Sequence, residues 1–468
     1  MTMTFLAINW AQVGVQAGQL LLALSILIVL HEFGHYITAR WFKCRVEKFF
    51  LFFDPWFALV KKKVGDTVYG IGWLPLGGYV KISGMMDESM DKEQLKQPPQ
   101  PWEFRSKPAW QRLIVMLGGV IMNVLVAFII YAFVLMMWGE SRVPNSSVKN
   151  GIWVTDSLMT NLGFRSGDKV LAVNDNEIKY FEDIQVKVLI GGRKILINRD
   201  GKDTTLNLPI DVIDKLISRR DVKRTLILPR VPAIAGEYGP KDTSFGKQAG
   251  LQAFDKIIAV NNEPVQFIDE INAIGARHKG TTVKVDVVRG GDTIQLNNKV
   301  SCEGRLGINI LSSEQYDSLG YYDVVHTKYG FFEAFPAGVK KAGEKLKFYV
   351  DQFKLILNPK TGAYKGVGGF KSIGSVFPTT WSWEDFWNIT AFLSIILAFM
   401  NLLPIPGLDG GHVMFTLWEM ITGKKPSDKF LEYAQLVGFV ILIGLMLYAN
   451  GNDWFGWGNK SAPPVPTC

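Results

Sequence analysis

Four long apolar segments constrain most strongly how this chain can fold. They occupy residues 20–30, 113–138, 386–403 and 433–448. With its flanks, each segment is long enough to cross a hydrocarbon core of about 30 Å. The chain contains 48% hydrophobic and only 20% charged residues, as expected when membrane spans are combined with soluble domains. The sequence therefore predicts a polytopic α-helical membrane protein with four transmembrane helices.

An H-E-x-x-H motif follows the first apolar segment directly, at His31, Glu32 and His35. On a helix, positions i and i+4 share a face, so both imidazoles can reach one zinc ion while Glu32 stands beside it as a proton acceptor. The alternative is an accidental pattern on a core helix. Three ionisable groups in an apolar span are costly unless they have a function. The motif therefore predicts a hydrolytic zinc site within a membrane.

Lysine and arginine are distributed unevenly around these segments. Residues 1–15 contain none, whereas the connection between the first two segments is rich in both. Positive residues favour the cytoplasmic side, so this connection should be cytoplasmic, with both termini and the long central segment on the opposite side. The net charge of +8 is then mostly explained by the lysine and arginine residues that set the orientation in the membrane. Without a recognition motif or basic helix, no nucleic-acid partner is expected.

Asp409 is the candidate for a third zinc ligand. It is the acidic residue at the end of the third apolar segment, on the same predicted side as the histidine pair. Catalytic zinc usually has three protein ligands and an open fourth position, so one catalytic Zn²⁺ is expected. A helix-capping role for Asp409 is the alternative. His412 is not included, because a fourth protein ligand would close the site.

The region between the second and third segments contains an internal repeat. Residues 162–174 align without a gap to residues 249–261, each with a glycine, an Asp-Lys pair, an apolar strand and an asparagine-led turn. This unit resembles the PDZ domain in its circularly permuted bacterial form. PDZ domains bind an extended peptide by adding it as a strand to a sheet edge. Two such modules could equally act as a steric screen.

A second motif lies at residues 401–411, NLLPIPGLDGG, which matches the pattern N-x-x-P-x-P-x-L-D-G. With H-E-x-x-H and two tandem PDZ-like modules, the chain resembles the site-2 protease family of intramembrane zinc metalloproteases, of the regulator of sigma-E protease type. The resemblance implies a multi-pass protein of the bacterial inner membrane, with periplasmic PDZ domains and an active site toward the cytoplasm. It also associates Asn401 with substrate binding, although an interhelical hydrogen bond would be equally plausible.

The resemblance implies an endopeptidase that cleaves transmembrane segments of single-span proteins already shortened outside the membrane. The expected substrates are an anti-sigma factor of an envelope-stress response and remnant signal peptides. The alternative from another class is a non-hydrolytic membrane scaffold, in which zinc is structural and the PDZ modules recruit partners.

Residues 51–82 are typical of a β-hairpin and resemble the membrane re-entrant β region of the family. A transmembrane substrate must unwind before hydrolysis, because its helix hides the peptide bonds. We therefore expect the strand at Gly70, Ile71, Gly72 and Trp73 to pair with unwound substrate. A hairpin that only plugs the cytoplasmic face is the alternative.

The predicted organisation has six parts. They are a first membrane part at 1–141, which includes a β-hairpin region at about 49–84; a first PDZ domain at 142–225; a second at 226–311; a linker with an amphipathic helix at 312–380; a second membrane part at 381–460; and a native tail or cloning remnant at 461–468.

Overall fold

The computed structural model describes residues 9–75, 77–85, 98–218, 225–240 and 242–457, except for the side chain of Asp428. The predicted tail at 461–468 lies outside these residues. The chain forms two compact units. The first comprises residues up to 139 together with 328–351 and 367–457, and the second comprises 140–327 and 352–366.

The described residues contain thirteen α-helices and sixteen β-strands, numbered in chain order. The helices are α1 Trp10–Trp41, α2 Ala109–Met137, α3 Ser157–Asn161, α4 Glu182–Leu189, α5 Val212–Ile217, α6 Phe245–Gln248, α7 Ile268–Arg277, α8 Ser313–Ser318, α9 Phe331–Leu357, α10 Phe370–Gly374, α11 Trp383–Asn401, α12 Asp409–Thr422 and α13 Asp428–Phe455. The strands are β1 Val46–Leu51, β2 Phe53–Val64, β3 Thr67–Leu74, β4 Tyr79–Ile82, β5 Glu140–Arg142, β6 Ile152–Val154, β7 Lys169–Val173, β8 Asn176–Glu177, β9 Lys194–Arg199, β10 Lys202–Asn207, β11 Ile227–Pro229, β12 Lys256–Val260, β13 Glu263–Pro264, β14 Thr282–Arg289, β15 Asp292–Lys299 and β16 Val325–Thr327.

Three helices in the described part of the chain are long and apolar enough to cross a membrane, namely α1, α2 and α13. They cover the first, second and fourth predicted spans. The third predicted span corresponds to α11, which has 19 residues and carries Glu384 and Asp385 in its first turn. The protein is therefore a membrane protein with at least three such helices, and the fourth span stays a prediction.

Helices α1 and α2 cross with their backbones in contact. A methyl group built on Gly34 would lie 2.2 Å from the Gly118 carbonyl oxygen, and one built on Gly118 would lie 2.5 Å from the Gly34 carbonyl oxygen. Only glycine permits this approach, as in other membrane helix pairs that use small residues at the crossing. The crossing point lies beside His35, so the histidine pair faces α2.

The predicted hairpin is part of a four-stranded sheet with the order β2–β3–β1–β4. Strands β2 and β3 form the hairpin, with Val64 opposite Thr67 across a two-residue turn. Strand β1 pairs parallel to β3, and β4 pairs antiparallel to β1. The hairpin prediction is therefore confirmed, but β3 is an interior strand of a larger sheet.

Two four-stranded sheets of the second unit share a strand order. One runs β8–β7–β9–β10 and the other β13–β12–β14–β15. Both have an irregular register at the same position of the sequence repeat, between Val170 and Ala172 in β7 and between Ile257 and Ala259 in β12. The repeated sequence thus forms matching sheets. Their assignment as PDZ domains stays a prediction.

Each of these two sheets also holds a matching ion pair whose aspartate is buried. Arg199 binds both carboxylate oxygens of Asp168, at 2.7 and 2.8 Å. Arg289 binds both oxygens of Asp255, at 2.7 and 2.6 Å. The two aspartates are each only 1% exposed, and bidentate pairs of this kind are geometrically specific. The ion pair fixes the start of each repeated strand to the end of a neighbouring strand.

The predicted boundary at residue 225 does not separate the sheets cleanly. Strand β11, which begins at Ile227, pairs with β6 of the preceding module, with Ile227 opposite Val154. The pairing ends at Pro229. The first module therefore draws its last strand from beyond the predicted boundary.

Helix α9 lies within the region 312–380, for which the sequence predicts a linker with an amphipathic helix. Its N-terminal part packs against α2, where a methyl group built on Gly338 would lie 2.6 Å from the Ala132 backbone nitrogen. Phe331 and Phe332 at its start are exposed.

Candidate metal centre

Three side chains from distant parts of the chain meet in the first unit. His31 and His35 lie on one face of α1, and Asp409 is the first residue of α12. The Nε2 atoms of both histidines lie 3.3 Å from Asp409 Oδ2, and one ligand atom from each residue lies within 4.8 Å of the others. The structure therefore brings together the three residues predicted as zinc ligands.

The spacing of these atoms fits a bound metal ion. Asp409 Oδ2 is buried and has no hydrogen-bond partner among the described residues, which is costly for a carboxylate unless a cation joins it. Ligand atoms that lie about 2.0–2.1 Å from a tetrahedral zinc ion are about 3.3–3.4 Å apart. The two N–O distances of 3.3 Å agree with this value. Two histidines and one carboxylate can hold zinc and leave a fourth position open.

Asp409 is aimed by the turn between α11 and α12. A methyl group built on Gly410 would lie 2.2 Å from the Leu403 carbonyl oxygen, so the turn packs directly against the start of α12. Leu408 occupies the N-cap position, and no side chain caps the helix. Asp409 follows the cap and directs its carboxylate to the histidines, which argues against the capping alternative.

Helix α2 forms the wall behind the histidine rings. A methyl group built on Gly119 would lie 2.4 Å from His35 Nε2 and 2.5 Å from His31 Cε1. His35 Nδ1 lies 2.8 Å from the Val115 carbonyl oxygen, to which it can only donate. This hydrogen bond places the proton on Nδ1 and leaves the Nε2 lone pair directed at Asp409.

Glu32 lies beside edge strand β4. The Glu32 carboxylate faces the backbone N–H of Val80. Gly78, just before β4, packs closely against α1, since a methyl group built on it would lie 2.6 Å from Ile28 Cγ2 and 3.5 Å from Glu32 Cγ. Strand β4 and the residues just before it are therefore the part of the sheet that meets the motif glutamate.

The remaining candidates near the centre are Asn401 and His412. Asn401 ends α11, and its Nδ2 lies 3.3 Å from His31 Nε2. His412 Nε2 lies 3.2 Å from the Gln435 side-chain nitrogen on α13. The trio of possible ligands among the described residues does not include His412. Asn401 thus lies beside His31, and its role in substrate binding stays a prediction.

The strand predicted to pair with substrate is differently placed. At Gly70, β3 faces Phe50 of β1 on one side and Lys61 of β2 on the other. Ile71 is likewise opposite Leu51 and Val60. Both backbone edges of β3 are thus occupied at Gly70 and Ile71, because β1 adds to the hairpin. The pairing with β1 ends at Ile71, and Gly72 is opposite Ala58 of β2. Substrate could pair there only if a neighbouring strand moved away.

Sequence reasoning assigned no role to Gly119 and Asn123, although both contact the histidines. Asn123 is fully buried, and its Nδ2 lies 3.0 Å from His31 Nδ1. A signal was present, since an asparagine in the apolar segment 113–138 needs a polar partner. Its four-residue spacing from Gly119 places both on one face of a helix.

The comparisons with known proteins agree with this arrangement. The model of peptidase family M50 matches residues 19–445. A protein of Rickettsia conorii named as a zinc metalloprotease is 27% identical over 443 residues, which cover 92% of this chain and 96% of the relative. A regulator of sigma E protease from Haemophilus influenzae is 26% identical over 468 residues, covering 93% of this chain and 98% of the relative. Both names describe proteases, and the match extends over both parts of the metal centre.

Proposed function

Because this chain belongs to peptidase family M50, the site-2 type zinc proteases, we propose that it hydrolyses peptide bonds within transmembrane segments of single-span membrane proteins. It is a membrane zinc peptidase by family. We assign the zinc ligands to His31, His35 and Asp409. The observation that supports the assignment is the approach of both histidine Nε2 atoms to within 3.3 Å of Asp409 Oδ2.

Glu32 is the proposed general base and acid. Zinc, when bound, supplies Lewis acidity that polarises water and the scissile carbonyl. Glu32 accepts the proton from the attacking water and delivers it to the leaving amine nitrogen. The Val80 N–H faces this carboxylate. Asn401, whose amide is 3.3 Å from a ligand atom of His31, is positioned to hydrogen-bond the substrate carbonyl as negative charge develops there.

We propose that unwound substrate pairs with the outer edge of β4. This strand ends the sheet, and its Val80 N–H points toward Glu32. An extended segment added there would lie beside the proton acceptor. The proposed contribution of residues 70–73 then changes: β3 holds the sheet together from inside, and Trp73 supports this by donating from Nε1 to the Pro55 carbonyl oxygen at 2.9 Å.

Replacement of Val80 by proline tests this pairing. In the proposed pairing the Val80 N–H is the donor on the outer edge, so proline removes that donor and should leave the β1–β4 ladder intact. We expect Val80→Pro to slow cleavage of a helical transmembrane substrate more than cleavage of a short extended peptide with the same scissile bond. Val80→Ala, which keeps the amide, is the matched control. Equal slowing of both substrates would mean that the amide acts only through Glu32, and would refute strand pairing.

The proposed substrates are single-span proteins already trimmed outside the membrane, an anti-sigma factor and remnant signal peptides. The name of the Haemophilus influenzae relative supports the first. The lysine and arginine bias supports an inner-membrane location with the catalytic site toward the cytoplasm. The two repeated modules would then be periplasmic and exclude substrates with bulky outer domains. The scaffold alternative is less well supported, because three ligands leave zinc an open position.

Glu32→Gln separates protease from scaffold. We expect this variant to bind one zinc ion as the wild type does and to lose cleavage of a model transmembrane helix by about 10²–10⁴-fold, the usual contribution of a general base. Glu384→Gln, at an exposed carboxylate on α11, controls for the loss of one negative charge. Zinc content and cleavage are measured on the same purified samples. Wild-type cleavage by Glu32→Gln would refute the proposed mechanism.

A further inference from the structure

Asn123 is a buried polar side chain that no step of the proposed reaction uses. It lies in the middle of apolar helix α2 and is completely inaccessible to solvent. Its Oδ1 has no hydrogen-bond partner among the described residues, and its Nδ2 lies 3.0 Å from His31 Nδ1. Burying an amide is costly unless it is hydrogen-bonded. The contact that compensates for burial of this side chain is therefore the one with His31.

The tautomer of His31 determines which end of the amide faces the ring. Both histidines direct Nε2 at Asp409, so Nε2 is the atom available to zinc. A neutral imidazole that binds through Nε2 carries its proton on Nδ1 and is a donor there. The group opposite must then be an acceptor, as the Val115 carbonyl oxygen is for His35.

The side-chain oxygen of Asn123 can be that acceptor. The two ends of an asparagine amide have nearly the same shape, and their assignment depends on the hydrogen-bond network. Exchanging them places Oδ1 opposite the Nδ1–H of His31 at the same distance. No donor in the described part of the chain holds Oδ1 in its other position, so the exchange breaks no hydrogen bond there.

The surroundings of Asn123 keep its side chain in place. Ser394 Oγ of α11 donates to the backbone carbonyl oxygen of Asn123 at 2.8 Å. Val115, Gly119 and Asn123 follow one another at four-residue intervals and form a stripe on α2. The stripe presents an acceptor to His35, a flat glycine surface to both rings, and the amide to His31.

We propose that Asn123 is a positioning residue that accepts a hydrogen bond from His31 Nδ1 and so holds Nε2 in the orientation that binds zinc. This inference rests on the proposed zinc centre. Partners of this kind fix the tautomer and the ring angle of a ligand histidine, and their loss typically lowers metal affinity by about 10- to 100-fold. Asn123 touches neither substrate nor the reacting atoms.

Zinc affinity of the full-length protein in detergent, measured by competition with a chelator, tests the proposal without an activity assay. We expect Asn123→Leu, which has a similar shape but no acceptor, to bind zinc about 10- to 100-fold more weakly. Asn123→Asp keeps an oxygen toward Nδ1 and should bind at least as tightly as the wild type. Gln19→Leu is the matched control, since Gln19 is also a fully buried amide, on α1, bonded to the Pro378 carbonyl oxygen.

Two results would overturn the proposal. One is wild-type zinc affinity in folded Asn123→Leu. The other is a loss of affinity in Asn123→Asp, which would mean that the amide nitrogen faces the ring; this variant decides the question even if Asn123→Leu does not fold. His31→Ala distinguishes failure of the proposed zinc centre from failure of the proposed role of Asn123. If it retains full zinc affinity, the zinc centre itself is wrong, whereas weak binding by His31→Ala with normal binding by Asn123→Leu would remove only the role of Asn123.

Discussion

Replacement of Gly119 by alanine should separate zinc binding from folding. The new methyl group would lie 2.4 Å from His35 Nε2 and 2.5 Å from His31 Cε1. The nearest ring atoms must retreat by about 1 Å to reach ordinary van der Waals contact, whereas ligand distances in metal sites vary by only about 0.2 Å. Both rings are held from behind through their Nδ1 atoms, so they cannot move without losing those bonds.

We expect Gly119→Ala to impair function more than folding stability. Alanine stabilises a helix by about 1 kcal/mol relative to glycine. This gain offsets part of the cost of overpacking, which is typically about 1–3 kcal/mol. A displacement of this size near reacting groups can lower the rate by about 10²-fold. We therefore expect Gly119→Ala to unfold near the wild-type temperature but to lose zinc and peptidase activity.

The assay compares three proteins purified in detergent for zinc content, cleavage rate and unfolding temperature. Gly14→Ala is the control, because Gly14 also lies in a helix but has nothing within 4 Å of the new methyl group. It should be fully active and slightly more stable. Normal zinc content in Gly119→Ala would refute the claim that α2 shapes the centre.

Two further predictions concern the crossing of α1 and α2 and the ion pairs of the two repeated modules. Gly118→Ala should lower the unfolding temperature, because its methyl group would lie 2.5 Å from the Gly34 carbonyl oxygen and a backbone atom cannot move aside as a side chain can. An unchanged unfolding temperature would contradict the close crossing of α1 and α2. Asp168→Ala should leave the partly exposed Arg199 without its carboxylate partner and cost about 1.5–3 kcal/mol, and hydrogen exchange should rise in β7 and β9. The same change at Asp255 should act on β12 and β14 instead, so a uniform rise in both modules would contradict separate ion pairs.

The grouping of His31, His35 and Asp409 could be predicted from the sequence because its signals are local. His31 and His35 are one helical turn apart, and Asp409 lies in a short motif with two prolines and three glycines. The long helices were also predictable from their apolar composition. Helix α11 is a borderline case, since Glu384 and Asp385 shorten its apolar part.

The arrangement of the β-sheet could not be predicted to the same extent. The turn at Gly65 and Asp66 marks the β2–β3 hairpin locally. Parallel pairing of β1 with β3 joins Phe50 to Gly70, and no local signal specifies a parallel partner across such a gap. The edge strands are therefore β2 and β4, and β4 is the one beside Glu32, whereas the sequence suggested β3 as the strand that pairs with substrate.

The contacts of Asn123 and Gly119 were beyond sequence reasoning for a related reason. Their four-residue spacing identifies a common face of α2, but not the helix that this face meets. The partner is set by the Gly34–Gly118 crossing, which depends on two segments about eighty residues apart. Likewise, Asp168 is inside the aligned repeat, but Arg199 lies beyond it.

The most direct test of the zinc centre is X-ray absorption at the zinc edge, combined with zinc affinity, for the wild type and for Asp409→Ala. The wild type should hold one zinc ion with two imidazoles and a carboxylate, at about 2.0–2.2 Å. Asp409→Ala should lose the carboxylate contribution and bind zinc much more weakly. Unchanged coordination and affinity in Asp409→Ala would contradict the convergence of α1 and α12 on a common metal ion.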